Sequence, residues 1–200
     1  MRKYLEHSII AIFIACLGLA SCQPPPDFPE TPKIKFLSLE EVDDDNIIIT
    51  FEFEDGNADL GLRSTQTNFP FNEYNYITAG GDTIAPPIQP GTVIVDSVKN
   101  FYFSNLFLFT FVKRNGEFEE AWYGINVNGQ EFDTIFRPDL RFPPVSNKVE
   151  DQPVSGTIAM SVSTRFFPWR FEDTLRFEFF VSDRSLNHSN RVKTSTYNKP

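Results

Sequence analysis

The clearest pattern in the chain is a strict alternation of hydrophobic and polar positions. Over residues 46–54 one face carries only large apolar side chains, namely Ile47, Ile49, Phe51 and Phe53. The alternation recurs over residues 157–163 and 173–182. A period of two is typical of β-strands that bury one face. These segments are therefore predicted to be strands packed against a common core.

A second pattern, in residues 101–113, predicts a central strand. This segment (FYFSNLFLFTFVK) is apolar on both faces for much of its length, as is typical of a strand covered on both sides. Two Asn-Gly pairs, Asn115-Gly116 and Asn128-Gly129, separate the strand-like runs that follow, and Asn-Gly favours two-residue hairpins. We expect a meander of strands 101–114, 117–127 and 131–136. No segment shows a capped helical period.

These patterns predict an all-β fold, an antiparallel immunoglobulin-like β-sandwich with an elaborated middle region, over residues 33–200. The predicted strands lie near 34–39, 46–54, 73–79, 92–98, 101–113, 117–127, 131–136, 155–163, 173–182 and 190–196. An immunoglobulin domain needs only ~100 residues, so the middle is an insertion or a second small sheet. The proline-rich loop 138–153 is the place for an internal boundary, and an arrangement of two packed subdomains stays open.

The N-terminus has the organisation of an export signal. Arg2 and Lys3 precede an unbroken apolar run over residues 9–20. That run is shorter than the ~20 residues a membrane-spanning helix needs, which favours a cleaved signal peptide over residues 1–21. It ends in Leu19-Ala20-Ser21-Cys22, which resembles the lipobox of bacterial lipoproteins. The resemblance implies lipid on Cys22, including palmitate, and an ordinary signal peptide is the alternative.

The residues after Cys22 predict a tether. Five prolines occur between positions 23 and 32, and proline fixes φ and lacks a backbone donor, so residues 22–32 are expected to be extended. Gln23 follows the cysteine where some bacteria place an aspartate for retention in the inner membrane. We therefore expect a lipid-anchored protein of the cell envelope, in the outer membrane of a Gram-negative bacterium.

The charge and the cysteine content of the chain exclude several classes of partner and site. The leader holds Arg2, Lys3 and Glu6 of the 18 basic and 27 acidic residues, so the mature chain has a net charge of −10. This acidic balance argues against nucleic acid as a partner, because phosphate would be repelled. Cys22 is the sole cysteine after cleavage, which excludes an intramolecular disulfide and cysteine-based metal sites.

Three segments carry a resemblance to a family. Residues 51–62 (FEFEDGNADLGL), 156–158 (GTI) and 173–190 (DTLRFEFFVSDRSLNHSN) resemble landmarks of uncharacterised Bacteroidota-type lipoproteins: an early DGxxDLG element, a middle element and a closing DRxxNxSN hairpin. Here Asn57 and Ala58 stand where Asp-Gly is usual. The resemblance implies a sandwich-like exported domain and implies no activity.

The chain lacks the residue patterns of common catalysts, so we expect that it is not an enzyme. His188 is the one histidine of the mature chain and lies in a polar turn; a hydrolase would need it beside a serine or an acid in a pocket. Neither G-x-S-x-G nor H-E-x-x-H is present, and no glycine-rich phosphate loop occurs. Glu117, Glu119 and Glu120 adjoin a hairpin turn, where exposed charge is ordinary.

Calcium is the one cofactor that the sequence suggests. Asp55, Asn57 and Asp59 are spaced as i, i+2 and i+4, which can wrap oxygens around a hard cation. Leu60 and Gln66 occupy the positions where an EF-hand has glycine and glutamate, so the loop is not an EF-hand. Asp183 or Asn187 would add ligands if the last hairpin folds back. The alternative is an Asx-type turn that needs no metal.

Two functional classes remain. The first is a non-catalytic envelope module that binds proteins or supports assembly. The second is a carbohydrate-binding surface lipoprotein, with Trp169, Trp122 and Tyr123 as candidates for stacking on sugar rings. Their alternative role is packing in a core already rich in aromatic residues.

Overall fold

The computed structural model describes residues 27–127, 130–135, 137–146, 152–165 and 174–198, with the backbone alone for residues 122–135. These residues form strands and one short 3-10 helix, Phe101–Phe103. The strands are β1 (Lys33–Asp43), β2 (Asn46–Asp55), β3 (Tyr74–Thr78), β4 (Thr83–Ile84), β5 (Ile94–Lys99), β6 (Leu106–Arg114), β7 (Glu117–Glu120), β8 (Trp122–Val127), β9 (Gln130–Ile135), β10 (Val154–Ser163), β11 (Thr174–Val181) and β12 (Val192–Asn198). No described helix is both long and apolar enough to cross a membrane.

All the strand pairs of the described residues are antiparallel, which confirms the all-β prediction. Two larger sheets have the orders β1-β2-β10 and β12-β11-β6-β7. Two smaller sheets have the orders β4-β3-β5 and β8-β9.

The core lies between the two larger sheets. The alternating apolar residues of β2 are 0–5% exposed and pack with those of β6 and β11 in one cluster. The rings of Phe51 and Phe179 meet across the sheets with their centroids 5.2 Å apart. The arrangement is sandwich-like because each sheet buries its apolar face against the other.

Two predicted strands have different bounds. Residues 101–113 do not form one strand, because Asn100 caps the 3-10 helix by accepting a hydrogen bond from the Tyr102 amide, and β6 begins only at Leu106. Residues 117–127 divide at buried Ala121, whose amide donates to the Thr110 carbonyl. β7 stays on β6, whereas β8 pairs with β9. The two-residue strand β4 was not predicted.

The predicted hairpin at Asn115-Gly116 is confirmed. Both residues have positive φ, 51° and 94°, as a type I′ turn requires, and β6 and β7 pair on either side of it. The pair at 128–129 lies outside the described residues, although β8 and β9 pair on either side of it.

The elaborated middle region contains a second small sheet, β4-β3-β5. Its side chains contribute nothing to the described core cluster, and all six residues of β5 are exposed. This sheet therefore projects from the sandwich and is accessible on both faces at β5.

The loop 137–146 is fixed to the sandwich. Asn105 and the backbone of buried Phe142 exchange two hydrogen bonds of 2.9 and 2.8 Å. The Arg141 guanidinium donates to the carbonyls of Phe103, Arg63 and Gln66. Residues 147–151, inside the predicted boundary region 138–153, lie outside the described residues.

The end of the predicted tether is docked. The Gly56 amide donates to the Pro29 carbonyl over 2.9 Å. A Cβ at position 56 would lie 2.4 Å from the Phe28 carbonyl oxygen, so this approach requires glycine. The chain is thus held to the sandwich from Pro29 onward.

Candidate functional site

The structure describes only some of the site residues predicted from the sequence. Cys22 and Trp169 lie outside the described residues. Trp122 and Tyr123 are on β8, where the description covers the backbone alone. The predicted calcium residues Asp55, Asn57 and Asp59 lie together in the turn at the end of β2. We call these three residues and Asp183 the acidic joint.

The turn of the acidic joint is built by its own side chains. Asp55 Oδ2 accepts a hydrogen bond from the Leu60 amide over 3.0 Å, and Asn57 Oδ1 accepts one from the Asp59 amide over 3.4 Å. Ala58 has φ of 56°, a conformation that costs a residue with a Cβ roughly 1–2 kcal/mol. These bonds are those of the Asx-type turn that was the alternative to a metal loop.

Gly61 completes the turn and brings the chain against the loop that follows β9. Its φ is 93°, and a Cβ there would lie 2.3 Å from the Pro143 carbonyl oxygen. The neighbouring Leu62 amide donates to the Phe142 carbonyl over 3.0 Å. The spacing of the DGxxDLG element therefore has a structural reason at both of its glycines.

The last hairpin folds back onto this turn. Leu60 and Asp183 form an isolated antiparallel bridge. Asp59 Oδ2 accepts hydrogen bonds from the amide and hydroxyl of Ser185, at 3.0 and 2.7 Å. Asp183 accepts two from Asn187, at 2.7 and 2.9 Å. The acidic joint thus connects the DGxxDLG turn with the last hairpin.

Burial shapes the electrostatics of the acidic joint. Asp55, Asp59 and Asp183 are 0%, 6% and 1% exposed. Burial raises the pKa of Asp183 to about 6, and the charges of Asp59 and Asp55 add to the rise. Burial is also the main cause of the raised pKa of Asp55, with the charge of Asp59 adding to it.

Two carboxylate oxygens of the acidic joint accept no hydrogen bond from the residues that the structure describes. These are Asp55 Oδ1 and Asp59 Oδ1, and both are buried. Buried polar atoms normally make a hydrogen bond, so each oxygen is open to a proton or a cation. Within the described ranges, no three histidine, cysteine or acidic side chains converge as metal ligands. Calcium would need backbone or amide oxygens besides the two carboxylates, and it stays a prediction.

A second site is a cleft of about 200 Å³ beside the 3-10 helix. It is lined by Lys99, Asn100, Phe101, Ser104, Arg137 and Asp139. The Phe101 ring is 39% exposed and stacks by one face on Phe107 at a centroid distance of 4.0 Å. Arg137 donates to Asp139 over 3.0 Å. The cleft combines an aromatic surface, cations and polar groups, which is the composition of a small-ligand site.

His188 lies beside this aromatic surface, exposed, with its ring 4.9 Å from that of Phe180 and 6.2 Å from that of Phe101. No acidic side chain among the described residues forms an ion pair with it, and its neighbours are the rings of Phe101, Tyr102, Phe107 and Phe180. The position fits the polar turn expected from the sequence.

The cleft was not predicted from the sequence. Phe101 was the first residue of a predicted strand, 101–113, and Arg137 and Asp139 carry no motif. The one available signal was Asn100, just before the predicted strand, because asparagine favours caps and turns. Its amide nitrogen donates to the carbonyls of Pro70 and Asn72, contacts that only the tertiary structure creates.

Comparisons with protein-family models, with curated proteins and with solved structures gave no match. The class of protein that the described residues define is therefore an all-β, antiparallel, sandwich-like domain with a projecting small sheet. The function is inferred from its surfaces.

Proposed function

We propose that this chain is a non-catalytic lipoprotein of the cell envelope, anchored through lipid on Cys22, that binds other proteins. The leader pattern and the sequence Leu19-Ala20-Ser21-Cys22 support the anchor. We include in the proposal an immunoglobulin-like topology for the sandwich and its location in the outer membrane.

The observation that carries the protein-binding role is the exposure of β5. Val95 is 61% exposed, Val98 45% and Ile94 36%, and Val93 just before the strand is 63% exposed. Apolar side chains so grouped on a projecting sheet are typical of interaction sites. The apolar surface is accessible on both sides of the strand, because all six residues of β5 are exposed.

The side chains of β5, more than its backbone edge, offer the contact. The amides of successive residues in a strand point alternately to its two neighbours. The Asn100 amide donates to the Glu73 carbonyl, on the side of β3. The amide of Ser97, three residues earlier, therefore points away from β3. That amide is occupied by Asp96 Oδ1 at 2.7 Å. A charge placed in this way discourages indiscriminate strand addition, so we expect a partner protein with an apolar patch.

The experiment places a photo-crosslinking amino acid at Val95 of the full chain in its native cells. We expect one discrete adduct with an envelope protein, and its loss when Val98→Glu is added. The control site is Thr157, exposed on β10. Equal adducts from position 157, or none from position 95, would contradict the proposal. A melting curve of Val98→Glu checks that the fold is intact.

A second candidate function is carbohydrate binding, and the cleft at Phe101 favours it. An exposed ring flanked by cations and a hydroxyl group can stack on a sugar and bind its hydroxyl groups. Ser104 Oγ makes no hydrogen bond with another described residue. Binding of any polysaccharide to the purified full chain, lost in Phe101→Ala, tests this function, and failure of all polysaccharides to bind would contradict it.

A further inference from the structure

The outer face of β6 and β11 carries a row of cations that lie over aromatic rings. The Arg137 guanidinium is 4.8 Å from the ring centroid of Phe109, and that of Arg191 is 3.9 Å from the same centroid. Farther along, the guanidinium of Arg176 is 4.4 Å from the centroid of Phe118. We call Arg137, Arg176 and Arg191, with Lys99 and Lys193, the cationic strip.

The cationic strip is continuous with the cleft, because Arg137 belongs to both. It lines the cleft and also lies 5.4 Å from the ring centroid of Phe101. Alternate residues of a strand are about 7 Å apart, so the outward rings Phe107, Phe109 and Phe111 space the cations at intervals along β6.

The guanidinium of Arg191 is held in place and open to a ligand. Its Nε contacts Glu178 Oε2 at 2.9 Å, and its side chain is 41% exposed. Neither terminal nitrogen donates a hydrogen bond to a residue that the structure describes. A guanidinium with one face on a ring and a free edge is suited to a carboxylate, which it binds with two parallel hydrogen bonds.

Charge gives the strip its selectivity. Glu178, at the centre, contacts three cations, Arg176, Arg191 and Lys193, at 3.0, 2.9 and 3.3 Å. Around Glu178 one carboxylate thus faces three positive charges, and in the cleft Asp139 faces Arg137 and Lys99. The five cations of the strip exceed these two carboxylates in a chain whose net charge is −9. This local excess would attract an anionic ligand even though the molecule as a whole is acidic.

The geometry points to an acidic polysaccharide, one whose sugars carry carboxylates, as the ligand of the cleft and the cationic strip. This proposal rests on carbohydrate binding, the second candidate function. One sugar ring lies on Phe101 in the cleft, with its carboxylate toward Lys99, and a carboxylate of a later sugar binds the terminal nitrogens of Arg191. The cleft favours a sugar over an acidic peptide because an exposed ring forms one wall.

The test uses the purified full chain in detergent and oligomers of polygalacturonate. We expect saturable binding, weakened at least tenfold by Lys99→Gln and by Arg191→Gln. Arg191→Lys keeps the charge but loses the paired hydrogen bonds, and should also weaken binding. The matched control is Lys35→Gln, an exposed lysine that contacts Glu52 on the other sheet, and it should bind as the unaltered chain does. Melting curves of each variant check folding.

Two further polymers separate the ways in which the proposal can fail. Polygalacturonate with its carboxylates methyl-esterified should bind at least tenfold more weakly. Equal binding of the ester would overturn the acidic ligand and leave carbohydrate binding standing. Equal binding of poly-glutamate would overturn the sugar as ligand, and no binding of either polysaccharide would overturn both.

Discussion

At the scale of single residues, the acidic joint is the most unusual feature. Asp55, Asp59 and Asp183 each accept hydrogen bonds that shape a turn, yet their mutual repulsion and burial work against the fully charged state. Charged groups are costly to bury unless they are paired. The acidic joint therefore lowers the free energy of unfolding at neutral pH, while its hydrogen bonds hold the DGxxDLG turn to the last hairpin.

The raised pKa of Asp183 makes stability depend on pH. An exposed aspartate titrates near 3.9, and burial raises the pKa of Asp183 to about 6. The folded state holds more protons between these values, so the free energy of unfolding should fall as pH rises from about 4 to 6, on the order of 3 kcal/mol in total. Urea unfolding at several pH values across this range measures the fall in the free energy of unfolding, with EDTA present to remove any bound cation.

Two variants check that assignment. Asp183→Asn keeps an acceptor for the Asn187 amide and should reduce the slope, and what remains is due to Asp55, whose pKa burial also raises. Asp43→Asn alters an exposed acid whose hydrogen bond with Asn46 lowers its pKa, so it should leave the slope between pH 4 and 6 unchanged. If Asp183→Asn shows the slope of the unaltered chain, Asp183 is not its source.

If calcium binds at the acidic joint, as the sequence predicts, it should also stabilise the folded state. A ligand present at 100 times its Kd stabilises the folded state by about 2.7 kcal/mol, so calcium should raise the melting temperature relative to EDTA. Asp59→Asn should abolish the rise, whereas Asp44→Asn in the exposed acidic run should retain it. An identical melting temperature with calcium and EDTA would refute the calcium site.

At the scale of the elements, side-chain contacts hold strands together in addition to the backbone hydrogen bonds of the sheets. Gly156 on β10 faces Phe53 on β2, and a Cβ there would lie 3.1 Å from the ring. This contact gives the glycine of the GTI landmark a packing role. Asn190, at the end of the last landmark, binds the backbone of Ile34 on β1 through both ends of its amide, each at 2.9 Å.

Asn190→Ala should loosen the start of β1. Two hydrogen bonds to partly buried backbone groups are lost, which costs about 1–2 kcal/mol in the free energy of unfolding. Amide hydrogen exchange at Ile34 should become faster. Asn198→Ala, which removes only an exposed bond with the Thr174 hydroxyl, should leave that exchange rate unchanged. Unaltered protection of Ile34 in Asn190→Ala would show that the contact is dispensable.

At the scale of the whole molecule, the proposed anchor determines where the binding surfaces work. Cys22→Ser should lose labelling by radioactive palmitate and move from the membrane fraction to the soluble one. Cys16→Ser, inside the leader, is the matched control and should still be labelled. Retained label in Cys22→Ser would contradict the lipid anchor.

The two binding surfaces also differ in chemistry. The apolar residues Val93, Ile94, Val95 and Val98 lie on or beside β5, which projects from the sandwich. Most of the cationic strip lies along the outer face of the sheet β12-β11-β6-β7, and Lys99 at the end of β5 adjoins it. A substitution at Val95 should leave polysaccharide binding intact, and Arg191→Gln should leave protein binding at β5 intact, because Val95 lies on the small sheet and Arg191 adjoins β12 of the larger one.

The sequence by itself determined the strands of the sandwich. An alternation such as that of β2 leaves one way to bury its apolar residues, and Asn115-Gly116 fixes a hairpin locally, so neither needs distant contacts to be predicted. The acidic loop was also visible as a local spacing, including its Asx-type turn.

Only the tertiary structure decided which residues became sites. Phe101 left the predicted strand because Asn100 bonds to Pro70 and Asn72, about 30 residues earlier, and the cationic strip draws on separate segments of the chain. Period and spacing report short-range geometry, whereas a cleft or a row of charges depends on long-range pairing. For that reason the stacking candidates chosen from sequence, Trp122, Tyr123 and Trp169, did not include Phe101.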